Sequence, residues 1–131
     1  MIGLDTNVII RYAMRDDPAQ TAQADRLIEG FTAQDPGYIS HITLVEVWWV
    51  LTRTYKLKDA DVASFLDSLL NAASLEVQEP DLVHKALRAV RTNHADFADA
   101  LIAVVSTDDG CTEVKTFDVK AAQRAGMSLL A

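Results

Sequence analysis

Five acidic residues carry the chemistry open to this sequence. Asp5 and Asp118 each end an apolar run, Asp96 and Asp99 stand three residues apart, and Glu46 lies in the apolar stretch that opens at His41. A carboxylate that ends a strand sits at the carboxyl edge of its sheet, where open α/β folds place their sites. Residues three apart in a helical first turn share a face, and Glu46, lying off the apolar stripe of its own helix, can point back over the same edge. Carboxylates gathered without a counter-ion repel one another and rise in pKa, so a hard divalent cation is the simplest means of holding them together. Each acid also has a purely structural explanation. Asp5 could form an Asx-turn or cap, Asp118 could cap the last helix, Asp96 and Asp99 could be first-turn acids favoured by the helix dipole, and Glu46 could be a solvated helix residue. Asp16, Asp17, Asp59, Asp61, Asp108 and Asp109 read as turn and surface acids.

The elements that must position these acids are short strands alternating with helices. Met1 to Leu4 predicts a buried strand, and Thr6 and Asn7 offer N-cap chemistry for a helix reaching Met14. Asp16-Asp17-Pro18 starts a second helix, with Ala24, Leu27, Ile28 and Phe31 at helical spacing until Asp35-Pro36-Gly37 breaks it. Tyr38 to Ser40 predicts a second strand. Leu44, Val47, Trp48, Leu51 and Tyr55 then mark one face of a four-turn helix. A helix over Asp59 to Ala73, a strand over Leu75 to Val77 and a helix from Pro80 to about Arg91 follow. Asp96 opens an amphipathic helix with Phe97, Leu101, Val104 and Val105 on one face, ended by Gly110. Val114 to Phe117 predicts a strand, a short helix reaches about Arg124, and Met127 to Leu130 adds an edge strand. Strands separated by helices imply a parallel sheet with helices on both faces.

A chain of 131 residues, 50% of them apolar and 24% charged, predicts one domain over 1–131 with one core. Cys111 is the only cysteine, which excludes an internal disulfide and a Cys-rich metal site and points to the reducing cytoplasm. The start of the chain shows no basic leader, and no apolar run approaches the roughly 20 residues that span a bilayer, so neither secretion nor membrane insertion is expected. Twelve basic residues against nineteen acidic ones leave a net charge of −7. That balance excludes a basic nucleic-acid-coating protein and leaves a local basic patch, or an acidic site that reaches phosphates through a bound cation.

Four stretches, Leu4-Asp5-Thr6-Asn7-Val8, Ser40-His41-Ile42-Thr43-Leu44-Val45-Glu46, Asp96-Phe97-Ala98-Asp99-Ala100-Leu101-Ile102-Ala103 and Thr116-Phe117-Asp118, resemble in order and spacing the PIN-domain ribonucleases of the VapC toxin type. The resemblance covers the whole chain. It implies a PIN-like α/β fold and a metal site built from Asp5, Glu46, Asp99 and Asp118, with Asp96 as an additional acid and Thr6, Asn7 and Thr116 in support. A cognate antitoxin partner follows from the same likeness. Ser106-Thr107-Asp108-Asp109 stands where such proteins often have a more apolar helix end, a change expected to affect only the loop.

Oxygen ligands without a Cys or His cluster favour Mg²⁺, with Mn²⁺ as the other candidate. The chemistry implied is metal-assisted hydrolysis of an RNA phosphodiester by water, leaving a 5′-phosphate and a 3′-hydroxyl. Asp5, Asp99 and Asp118 would hold the principal cation, with Glu46 and Asp96 orienting its waters or helping with a second. Of the scattered histidines, His94 is best placed to approach substrate. Arg11, Arg15, Arg53, Lys56, Lys58, Lys115 and Lys120 are unranked candidates for phosphate contact. Trp48 and Trp49 point about 100° apart on a helix, so one enters the core while the other meets a partner or interface, ahead of base stacking. Their apolar load predicts a homodimer. Two other functions suit the same residues: a phosphohydrolase acting on small phosphate esters, weakened by the lack of an Asp-x-Asp pair at Asp5, and a non-catalytic module that keeps the acids as caps.

Overall fold

In the computed structural model, which describes residues 1–130, the alternation of strand and helix produces the α/β class it predicts. Strands β1 (Ile2–Gly3), β2 (Gly37–Ile39) and β3 (Leu75–Val77) pair in parallel in that order, Ile2 opposite Gly37 and Ile39 opposite Val77. Parallel neighbours cannot be joined by a tight turn. Helices α1 (Thr6–Met14) and α2 (Pro18–Glu29) therefore carry the chain from β1 to β2, and α3 (His41–Trp49) and α4 (Asp59–Asn71) carry it from β2 to β3. Helices α5 (Pro80–Asn93) and α6 (Phe97–Asp108) follow. Strand β4 (Lys115–Thr116), helix α7 (Val119–Arg124) and strand β5 (Ser128–Leu129) close the described chain. Strands β4 and β5 pair only with each other, so the sheet predicted as one is two among the described residues.

Four local expectations are corrected. The first strand is two residues long, and of Met1 to Leu4 only Leu4 is buried. The second helix ends at Glu29 with Gly30 as its C-cap. Phe31 is buried from outside that helix, its ring lying over Gly37, where a Cβ would overlap it; the helical spacing of Phe31 was a coincidence of its burial. The helix from His41 runs regularly only to Trp49, and Val50–Thr54 form a π-helical turn before Tyr55. The first helix is capped by Asp5 rather than by Thr6 or Asn7.

The core lies under the three-stranded sheet and along α3 to α6, with Ile39, Val47, Trp48, Leu66, Leu87 and Phe97 all within 2% of full burial. The Trp48 ring meets Phe97 at 5.6 Å between centroids, a tilted aromatic pair that ties α3 to the start of α6. Burial of Trp48 removes it from the surface load that predicted a homodimer. Among the described residues no helix is long and apolar enough to cross a membrane.

Candidate active site

The start of α6 is fixed by Asp96. His94 ends α5 in the left-handed conformation (φ 57°), and Asp96 follows in extended backbone as the N-cap, its Oδ2 accepting from the Asp99 N–H at 3.0 Å. Its Oδ1 accepts from the buried Trp48 Nε1–H at 3.0 Å. Asp96 therefore stands before the helix, not within its first turn as predicted, and both its oxygens have protein donors. One contact satisfies a helix end and the other a buried indole.

Asp99, one turn on, is different. It is half-buried, and among the described residues no protein hydrogen bond reaches its carboxylate. Burial first, then the charges of Asp96 and Asp118, push its carboxyl above the ordinary value, with Arg53 opposing them. Asp118 enters from the other sheet as the N-cap of α7, its Oδ1 accepting from the Lys120 and Ala121 N–H groups at 2.8 and 3.2 Å. Thr116 Oγ1 accepts from the Asp118 N–H at 3.0 Å, which fixes the turn into that cap. Asp96, Asp99 and Asp118 share one cleft of about 350 Å³.

Asp5 and Glu46 stand outside this cleft. Asp5 Oδ1 accepts from the Asn7 and Val8 N–H groups at 3.0 and 3.3 Å, so Asn7 supports it through its backbone. Thr6 Oγ1 donates to Glu46 Oε1 at 3.0 Å, which links α1 to α3. Glu46 lines an apolar hollow of about 400 Å³ beside Ile42, Val45 and Leu101, and Ala98 and Ile102 line both that hollow and the acidic cleft. The five acids thus fall into a trio at α6 and α7 and a neighbouring pair at α1 and α3.

The cations sort themselves by partner. Arg11 pairs with Asp16 and Gln20, Arg15 with Asp25, and Lys115 with Glu113, so these three are held at the surface by the protein's own acceptors. Arg53 and Lys120 face the acidic cleft, as does His94. Two further cleft residues escape the sequence reading. Arg124 looks like an ordinary last-turn cation, and Asp59 like a first-turn acid of its helix; both are drawn to the cleft by packing distant in sequence.

Among the described residues no three His, Cys, Asp or Glu side chains gather closely enough to enclose a metal ion. Zn²⁺ in a closed cage is therefore a poor match. Mg²⁺ keeps several waters and is held by one or two carboxylates together with substrate phosphates. Asp99, with no protein donor, and Asp118, with one oxygen used in capping, present that kind of hard, open donor set.

Comparison with curated proteins finds no match. The family model described as PIN domain matches residues 2–127, a span that holds all five acids. PIN domains are typically nucleases and generally use a divalent metal such as Mg²⁺. With the ordered acids, the parallel sheet and a match over nearly its whole length, the chain belongs to the PIN domain family.

Proposed function

We propose that the chain is a Mg²⁺-dependent endoribonuclease that acts as the toxin of a toxin–antitoxin pair. The observation that carries the nuclease reading is Asp99, a half-buried carboxylate with no protein donor, pressed by two neighbouring carboxylates in a cleft that also holds Arg53 and Lys120. An acid kept in that condition raises the energy of the metal-free fold and is relieved by a cation. Asp99 and Asp118 would hold the ion from within the cleft, with Asp5 and Glu46 contributing from the adjoining α1 and α3. When bound, the ion supplies activation of water and neutralises charge developing on the phosphate. Asp96, its oxygens occupied by Trp48 and the Asp99 backbone, positions Asp99. Lys120 and Arg53 offset the repulsion between a phosphodiester and four cleft carboxylates, Asp59 included.

The toxin role is supported by the resemblance and by two features of the surface. An acidic cleft receives an inserted Arg or Lys as readily as a cation, and the adjoining apolar hollow, with Ile42 and Ile102 exposed at 73% and 52%, suits an apolar segment of an antitoxin or a second copy of the chain in a homodimer. Purified protein incubated with total cellular RNA, with and without Mg²⁺, is expected to cut RNA only with the metal, leaving 5′-phosphates. Cleavage of small phosphate esters but not RNA would favour the phosphohydrolase, and metal binding without hydrolysis of either the binding module. Expression without a partner is expected to arrest a bacterial host, and co-expression of the neighbouring small gene product to protect it. Light scattering tests the homodimer.

A further inference from the structure

One wall of the acidic cleft is made by Trp49 and Arg53. The two are four residues apart, and the Arg53 guanidinium carbon lies 4.5 Å from the centroid of the Trp49 ring. Trp49 ends the regular part of α3, and Arg53 lies in the π-helical turn that follows, where Thr52 Oγ1 donates to the Trp48 carbonyl at 2.7 Å. Trp48 is 2% exposed and Trp49 is 45% exposed, so the first is used by the core and the second is not. Arg53 makes no ion pair or hydrogen bond with protein among the described residues, in contrast to Arg11 and Arg15. The Trp49 ring is thus half-open beside the acids, and the guanidinium laid on it has no protein acceptor among the described residues.

Rings and guanidinium planes are the surfaces on which unpaired bases stack, and the guanidinium adds attraction for the neighbouring phosphate. Bases in a duplex have both faces covered, and a cleft of about 350 Å³ lies in the small-ligand range, which suits one splayed nucleotide. Lys120 and Arg124 face the same cleft from α7, so a phosphate beside the stacked base would lie between Arg53 and those cations, over Asp99 and Asp118. We propose that Trp49 and Arg53 form a stacking platform that seats one unpaired base of single-stranded RNA next to the phosphate to be cut. This deepens the nuclease reading and rests on it for the cleavage step alone.

Trp48 and Trp49 are the only tryptophans, which makes binding visible without catalysis. In EDTA, a single-stranded RNA decamer is expected to quench the emission of the wild type and not that of W49F, whose one remaining tryptophan is buried, while the duplex of the same sequence quenches far less. With Mg²⁺, W49A should raise KM for the decamer by about 10-fold, within the roughly 5- to 160-fold range of base stacking, and raise it more than it lowers kcat. R53A should do the same and also flatten the salt dependence, and W49F, which keeps a ring and guards against misfolding of W49A, should stay within about 3-fold of the wild type. Equal KM for the wild type, W49A and R53A with RNA cleavage intact, or equal quenching by duplex, overturns the platform and leaves the nuclease. Quenching at Trp49 without cleavage under any Mg²⁺ or Mn²⁺ condition overturns the nuclease and keeps the platform as a binding site; neither quenching nor cleavage overturns both.

Discussion

The amino ends of α1 and α6 begin with the same part and end in different states. Each opens on an aspartate in extended backbone whose side chain accepts from the first turn. At α1, Asp5 takes two backbone N–H groups on one oxygen, and the first turn behind it holds no further acid. At α6, Asp96 takes the Asp99 N–H on one oxygen and the Trp48 indole on the other, and the first turn behind it holds Asp99. Capping satisfies an acid; it does not satisfy the acid placed next to the cap. The difference separates carboxylates that stabilise the fold from the one that burdens it.

The largest effect expected from breaking this difference is on catalysis. Asp99→Asn removes the one of the five candidate acids that has no protein donor among the described residues and should cut Mg²⁺-dependent RNA cleavage by about 100-fold or more, since a lost cation ligand forfeits several kcal/mol of transition-state stabilisation. Circular dichroism should show an intact fold, and undiminished cleavage would remove Asp99 from the site. Next comes Asp96→Ala, measured by urea unfolding. Loss of a cap at about 1 kcal/mol and of the partner of a buried indole at about 1–3 kcal/mol together predict a cost of about 2–4 kcal/mol. Asp96→Asn should recover part of that, because its amide oxygen can serve one donor while its amide nitrogen faces the other.

Smaller effects sharpen the same contrast. Asp5→Ala and Asp118→Ala should each cost about 1 kcal/mol as lost caps, whereas Asp99→Ala in metal-free protein should be neutral or stabilising because it relieves repulsion from Asp96 and Asp118. Equal costs at the three positions would show that Asp99 stabilises the fold as the capping acids do and carries no burden. The smallest effect is on pH dependence. A carboxyl whose folded pKa lies above its unfolded value binds its proton more tightly in the native state, so its contribution is fully present below the unfolded value and is lost as pH rises through the folded one. Metal-free wild type should therefore lose slightly more stability than Asp99→Asn between about pH 4 and neutrality. Mg²⁺ should reverse the trend, since only the ionised carboxylate binds it. Identical pH profiles for the two proteins would contradict the burden assigned to Asp99.

Much of this molecule was readable from local chemistry. Proline at Pro18 and Pro80 and the aspartates at Asp17 and Asp118 open helices close to where start signals and capping rules put them, because a helix end must satisfy its free N–H groups within a few residues. The order of the five acids, and the α/β alternation that carries them, belong to the same class of information.

What lay beyond reach depends on partners distant in the chain. Nothing near Asp96 shows that Trp48, 48 residues away, will occupy its second oxygen, although the apolar stripe of its own helix already places Trp48 rather than Trp49 on the inward face. The split between the three-stranded and two-stranded sheets, the π-helical turn after Trp49 and the arrival of Arg124 and Asp59 at the cleft are of the same kind. Capping is a matter of three or four residues and can be read along the chain. Desolvation, repulsion between Asp99 and Asp118, and the free face of a tryptophan are set by elements meeting in space, and they exist only once the chain has folded.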